Sequence, residues 1–130
     1  MKKLSWLFLF LFFVITACDD DDEAIPIVDG PVPVTQVQGP DNMTVGQTAE
    51  IEVTFRVRNE CGQFERFEEV VSGMTYTITV HAEYIGQACA QVITTRTEGY
   101  LFTPTTAGTY TFRFWSGENN QFVTHTIVVQ

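Results

Sequence analysis

The chain has 130 residues, of which 45% are hydrophobic, and it carries a formal net charge of −9. This length is enough for one domain of moderate size, and it is too short for a two-domain enzyme or a membrane protein with several spans. The acidic balance argues against nucleic acid as a partner, because its phosphates would repel the surface of this protein.

The first 17 residues have the layout of a secretory signal peptide. Two lysines precede residues 4–15, in which only Ser5 is polar, and the small residue Ala17 directly precedes Cys18. A helix over this apolar run would span about 18 Å, against about 30 Å for the hydrocarbon core of a bilayer. We therefore predict that residues 1–17 are a cleaved signal and not a membrane span.

The tetrapeptide Ile15-Thr16-Ala17-Cys18 closely resembles the lipobox of bacterial lipoproteins. This resemblance implies that the Cys18 thiol is alkylated with diacylglycerol and that the peptide before it is removed. The mature protein would then be held at a membrane by its lipid. Each buried methylene group contributes about 0.8 kcal/mol, and two acyl chains are enough for stable anchoring. The alternative is an ordinary signal peptide with an incidental cysteine.

An acidic run follows Cys18 directly, and it consists of Asp19, Asp20, Asp21, Asp22 and Glu23. In this position it resembles the export signal of surface lipoproteins of the Bacteroidota, which implies the outer face of the outer membrane. Some other Gram-negative bacteria treat Asp after the cysteine as a signal for retention in the inner membrane, so the compartment depends on the host. A solvated spacer and a calcium loop are the other interpretations, and the run lacks the spacing of a calcium loop.

Residues 18–33 contain three prolines and almost no periodicity, so we predict a tether that lets the domain stand clear of the membrane. The folded domain is expected over residues 34–130. Residues 49–57, 76–84 and 110–114 alternate apolar and polar side chains, as strands with one buried face do. Weaker strands are predicted at residues 34–38, 64–71, 89–97, 99–103 and 122–129.

The absence of helical spacing and the regular short strands predict an all-β fold, an immunoglobulin-like two-sheet antiparallel sandwich of about seven or eight strands. Phe64 and Phe67 lie three residues apart, so both can face the core only if the strand contains a bulge.

The segment Ala107-Gly108-Thr109-Tyr110 resembles the corner of immunoglobulin-like domains, where the tyrosine hydroxyl often bonds back to the corner. With the lipobox, the chain resembles a small Bacteroidota-type surface lipoprotein with a single immunoglobulin-like domain. Antibody domains place a Trp between their paired cysteines, and this chain has none between Cys61 and Cys89.

Lipidation of Cys18 leaves Cys61 and Cys89 as a pair in an oxidising compartment, so we predict a structural disulfide worth about 3–4 kcal/mol. A redox pair is disfavoured because its cysteines usually lie two residues apart. We expect neither a metal site nor a cofactor, since the only histidines, His81 and His125, lie on polar faces of predicted strands.

No catalytic residues are predicted. The densest acidic patch contains Glu60, Glu65, Glu68 and Glu69. We expect these carboxylates to form weak ion pairs with arginines 56, 58 and 66 and not to take part in catalysis. Nothing around the serines or histidines marks a nucleophile and its base.

Trp115 is the most suggestive residue for binding. It alternates out of phase with Phe112 and Phe114, so it should point away from the core, next to a loop that carries Asn119 and Asn120. An exposed aromatic beside amides can stack on a sugar ring or anchor a protein partner. Packing of Trp115 under the loop or on the tether is the alternative.

Tyr84 and Tyr100 are candidates to extend this binding surface. The leading hypothesis is a non-enzymatic, lipid-anchored surface domain that binds a glycan or a protein. A structural envelope lipoprotein without a soluble ligand is the alternative, and a small surface hydrolase is the remote one.

Overall fold

A computed structural model describes residues 28–86 and 88–130, which form nine β-strands and no helix. In chain order the strands are β1 (Val28–Val32), β2 (Val34–Gln38), β3 (Asn42–Met43), β4 (Ala49–Val57), β5 (Gly62–Ser72), β6 (Thr75–Tyr84), β7 (Thr94–Phe102), β8 (Gly108–Gly117) and β9 (Gln121–Val129). Within these described ranges, no helix is long and apolar enough to cross a membrane. Cys18 and the acidic run lie outside the described residues.

The strands form two sheets, which confirms the predicted all-β sandwich. The six-stranded sheet has the order β1-β6-β8-β9-β3, with β5 on the other edge of β6, and the three-stranded sheet has the order β2-β4-β7. Alternate side chains from both sheets meet in one core, whose fully buried aromatic residues are Phe55, Phe112 and Phe114. The alternating pattern of the sequence therefore encodes the inner faces of the sandwich.

Two strand pairs of this mainly antiparallel sandwich are parallel. β6 and β8 run parallel, with Thr75 beside Thr111 and Ile78 beside Phe114, and the short β3 runs parallel to β9. The reason lies in the connection, because β7 returns the chain through the opposite sheet before β8 begins. β8 consequently starts at the same end of the molecule as β6.

The tether predicted over residues 18–33 is wrong at its C-terminal end, because residues 28–32 form β1 and pair with β6. Val32 is buried, and the chain changes sheets at Pro33, whose carbonyl accepts a hydrogen bond from the Arg56 amide at 3.0 Å. Gly30, Pro31 and Pro33 interrupt the alternating pattern here. Proline is tolerated at such a position because β1 is an edge strand.

The two weak strands predicted at 89–97 and 99–103 are instead one strand, β7. Gly99 does not break it, because Gly99 pairs with Glu52 and the Glu50 side chain covers the space beside it. Residues 88–93 belong to the loop before β7, which the disulfide holds.

Two local predictions are confirmed. The β5–β6 register shifts between Phe64 and Arg66, and this bulge lets Phe64 and Phe67 both pack against the core with ring centroids 4.7 Å apart. At the corner, the Tyr110 hydroxyl donates a hydrogen bond to the Thr106 carbonyl at 2.8 Å.

We name the two ends of the sandwich by their contents. The disulfide end holds the start of β1, the Cys61–Cys89 bond, the described residues of the loop 85–93 and the turn 118–120, because β8 runs parallel to β6 and ends on the same side. The opposite corner end holds the loop 39–48 and the turn 103–107, which are joined by a hydrogen bond from the Gly46 amide to the Pro104 carbonyl.

Candidate functional site

Trp115 lies on the outer face of the six-stranded sheet, as the alternation predicts. Phe112 and Phe114 point into the core, so Arg113 and Trp115 point outwards. Trp115 is half-buried and lies directly opposite Phe122 of β9 in the antiparallel pair. Two aromatic side chains therefore stand next to each other on this face.

Arg113 fixes one side of this aromatic pair. Its guanidinium carbon lies 4.1 Å from the centroid of the Phe122 ring, which is the geometry of a cation–π contact. At a partly exposed site such a contact contributes about 0.5–1 kcal/mol. Arg113 therefore covers part of the Phe122 ring, next to Trp115 in the strand pairing.

Threonines lie next to the aromatic pair on the same face. Thr111 lies between Thr75 and Thr126 in the strand pairing, and Arg113 lies between Thr77 and Thr124. The result is a hydroxyl-bearing surface on neighbouring strands, which lie about 4.8 Å apart. This surface, the outer platform, consists of Arg113, Trp115, Phe122, Thr75, Thr77, Thr79, Thr111, Thr124 and Thr126.

Asn119 and Asn120 form the turn that joins β8 to β9, next to the outer platform. Both are exposed and have positive φ angles of 63° and 53°. The turn has three residues, 118–120, between the paired Gly117 and Gln121, and its left-handed positions favour Asn or Gly because few other side chains tolerate that backbone region. The turn chemistry accounts for their presence, and their amides remain available to a ligand.

The two tyrosines proposed to extend the binding surface do not reach it. Tyr84 and Tyr100 are each only 7% exposed and belong to the core. Tyr84 is in phase with the apolar residues of β6, so its ring points inwards like theirs. Tyr100 packs edge-on against Phe67 and Phe114, with centroid distances of 5.3 and 6.0 Å.

The hydroxyl of Tyr100 has a partner at the edge of the core, because it donates a hydrogen bond to Oε2 of Glu69. Burial, followed by this hydrogen bond and the charge of Glu69, raises the pKa of Tyr100 well above its ordinary value. Burial also raises the pKa of Tyr76. Both hydroxyls stay protonated near neutral pH, so Tyr100 serves as a hydrogen-bond donor that links β7 to β5.

The acidic patch of β5 is partly neutralised, as predicted, but by fewer arginines. Arg66 lies 2.6 Å from Oε1 of Glu65 and 3.9 Å from Oε2 of Glu68, while Arg56 and Arg58 belong to the other sheet. The Arg66 and Glu68 side chains are 46% and 58% exposed, so each pair contributes at most about 1 kcal/mol.

Two further groups join this cluster. Asp29 of β1 lies 3.6 Å from Arg66, and Nε2 of His81 lies 2.9 Å from Oε2 of Glu68. Oε2 of Glu65 is buried without a hydrogen-bond partner among the described residues. The cluster ties β1, β5 and β6 together on the outer face.

Of the two histidines predicted on polar faces, His81 lies on the outward face of β6 and His125 does not, and neither side chain is fully exposed. The His81 side chain is 13% exposed because Arg66 and Glu68 cover it. His125 is half-buried, because it is in phase with the inward-facing Ile127, and its Nε2 lies 3.0 Å from the Pro40 carbonyl. Among residues 28–86 and 88–130, no group of three or more His, Cys, Asp or Glu side chains has a geometry that could hold a metal ion.

Sequence reasoning missed a groove at the disulfide end. It has a volume of about 430 Å³ and is lined mainly by apolar side chains, with the arginines of the end of β4 at its rim. The guanidinium of Arg58 stacks 4.2 Å from the Tyr84 ring centroid, and the Arg58 amide donates to the Tyr84 hydroxyl at 3.1 Å. The lining residues are Gly30, Pro31, Val32, Pro33, Arg56, Val57, Arg58, Tyr84 and Ile93.

The groove is formed by segments far apart in the sequence, so no local pattern announces it. The predicted Cys61–Cys89 disulfide is present, with the two Cα atoms 5.5 Å apart, and it holds the loop 85–93 next to the groove. The Sγ atom of Cys61 lies 3.1 Å from the position of a Cβ atom built on Gly86, which has a φ of 125°. A larger residue at position 86 would be strained there.

Comparison with known proteins bears on the fold and not on the ligand. No curated protein and no solved structure matches the chain. The family model of the ORF11 beta-sandwich domain matches residues 51–129, from β4 to the end of β9 and more than half of the chain. The matched segment includes the outer platform and the disulfide. The chain therefore belongs to the ORF11 beta-sandwich domain family.

Proposed function

We propose that this protein is a non-catalytic, lipid-anchored cell-surface domain that binds a glycan on the outer platform. The observation that carries the proposal is the outward pair of Trp115 and Phe122, with threonine hydroxyls next to it on the same face of the sheet. A sugar ring has an apolar C–H face that stacks on an aromatic ring, and hydroxyl groups that exchange hydrogen bonds with threonines. The platform offers both kinds of contact together.

The resemblance of residues 15–18 to a lipobox supports the anchor, and the acidic run from Asp19 to Glu23 supports export to the outer face of the outer membrane. The absence of an ordinary transmembrane helix in the described residues is compatible with attachment through lipid alone. In this arrangement the domain captures ligands at the cell exterior.

The anchor is tested by fractionation and by protease treatment of intact cells. The full-length chain is expected in the outer membrane and digestible from outside, and the Cys18→Ala variant is expected to lose membrane attachment. Protection of the wild-type protein in intact cells, with digestion after lysis, would contradict the surface location. The presence of the Cys18→Ala variant in the membrane at wild-type levels would contradict the lipid anchor.

The ligand is tested by retention on a panel of immobilised polysaccharides. Trp115→Ala is expected to weaken binding about 30-fold, which corresponds to about 2 kcal/mol for a central aromatic contact. Leu101→Ala is the matched control, since Leu101 is 65% exposed on the other sheet. Equal retention of both variants would refute the platform, and binding to envelope proteins stripped of glycans would instead favour a protein ligand.

A further inference from the structure

The disulfide end carries an unusual combination of exposed apolar and basic side chains. Ile85, Val92 and Ile93 of the loop 85–93 are 47%, 57% and 65% exposed. Arg56 and Arg58 flank this loop across the groove and are exposed as well. Among the described residues that line the groove, the charged side chains are those of Arg56 and Arg58.

The position of the first strand determines which end of the domain lies closest to a membrane anchor. Val28 pairs with Tyr84 at the disulfide end, and nine residues, 19–27, separate Val28 from Cys18. The ten Cα–Cα steps from Cys18 to Val28 span at most about 36 Å. The ten-residue β6 measures about 33 Å, so the disulfide end lies closer than the corner end to an anchor at Cys18 by most of the length of the sandwich.

We propose that the disulfide end is a membrane-contact surface, in which Ile85, Val92 and Ile93 enter the headgroup region of the bilayer. Arg56 and Arg58 bind lipid phosphates from the rim of the groove. This inference rests on the proposed anchor at Cys18. The side chains fit the task because apolar residues gain from leaving water, while guanidinium groups pair with phosphate oxygens at the same depth.

The disulfide gives the contact surface its shape. It joins Cys61, next to the start of β5, to Cys89 within the loop, and the Glu60 amide also bonds to the Ala90 carbonyl at 3.1 Å. These two links constrain the loop, which reduces the ordering that a contact with lipid would require.

The test uses lipidated protein reconstituted into vesicles of phosphatidylethanolamine and phosphatidylglycerol with brominated acyl chains. Ile93→Trp and Leu101→Trp are each made in a Trp115→Phe background, so one tryptophan reports on each end. Ile93 and Leu101 are both 65% exposed, which makes them a matched pair. Emission from position 93 is expected to be quenched and shifted to shorter wavelength, while emission from position 101 stays as in water.

Equal emission from positions 93 and 101 on the vesicles would overturn the inference. A second measurement uses the unsubstituted protein, so it does not depend on whether the Trp variants fold. Amide hydrogen exchange in residues 88–93 should be slower for the protein on vesicles than for the soluble Cys18→Ala chain. If the amides of residues 88–93 exchange equally fast on vesicles and in the soluble chain, the membrane contact is also overturned. Substitution of Arg56 and Arg58 by Gln should reduce the quenching at position 93. Unchanged quenching would contradict the proposed contact between these arginines and lipid phosphates.

Failure of the anchor is distinguishable from failure of the contact. Wild-type protein that does not float with vesicles contradicts the lipid anchor, and the contact surface with it. Protein that floats while position 93 remains unquenched contradicts the contact surface alone and leaves the anchor standing.

Discussion

Removal of the Cys61–Cys89 disulfide should cost a large part of the stability of the domain. The bond joins residues 28 apart, so it closes a loop of 29 residues counted from one cysteine through the other. The chain-entropy relation gives a loss of about 12 cal/mol/K for a loop of this length, or about 3.6 kcal/mol at 25 °C. Single domains are stable by about 5–15 kcal/mol, so the double variant Cys61→Ser/Cys89→Ser should remain folded but become marginal.

The assay is thermal and urea unfolding of the mature chain, with Cys18 replaced by Ala, in the presence and absence of reductant. Reduction should lower the melting temperature of the parent chain by about 15–30 °C, the range expected for a domain of about 100 residues. The Cys61→Ser/Cys89→Ser variant is the control, because reductant should leave it unchanged. A parent chain whose unfolding free energy falls by less than 1 kcal/mol on reduction would refute the argument from loop closure.

Three further predictions concern the core and the corner. Tyr110→Phe removes the hydroxyl bond to the Thr106 carbonyl and should cost about 1 kcal/mol in urea unfolding; an unchanged midpoint would show that the corner bond is dispensable. Phe112→Ala should cost about 3–5 kcal/mol because its ring is fully buried, whereas Leu101→Ala should stay within about 0.5 kcal/mol; similar losses in both would contradict the assigned core. Because the pKa of Tyr100 is raised in the folded state, its contribution to stability is complete below about pH 10 and is lost as the pH rises further. Tyr100→Phe should flatten this alkaline loss, and an equally steep loss in the variant would assign it to other groups.

The fold could largely be predicted from the sequence, because the inner faces carry unbroken alternation. Residues 49–57 and 76–84 match β4 and β6 nearly end to end, since every second side chain is apolar there. β1 escaped prediction because Gly30 and two prolines hide its pattern, although Val32 is buried. The parallel pairing of β6 with β8 also escaped, because alternation reports which face of a strand is buried and not which strand lies beside it.

The candidate site could be predicted only in part. The alternation of apolar and polar side chains along β8 was enough to place Trp115 outside the core. Its partner Phe122 comes from β9, and the sequence does not specify the register between these two strands. The same phase argument, applied to Tyr84, would have placed it inside with the other apolar residues of β6. The groove beside Arg58 was out of reach, because it depends on the packing of β1, β4 and a disulfide-held loop.

The outer platform can be tested most directly through the emission of Trp115. Cleavage before Cys18 would remove Trp6, so Trp115 would be the only tryptophan of the mature chain. The account predicts that a polysaccharide retained by the protein shifts or quenches this emission in a saturable titration, and that Phe122→Ala weakens the titration while Leu101→Ala does not. A retained polysaccharide that leaves Trp115 emission unchanged at saturation would contradict the proposed binding face.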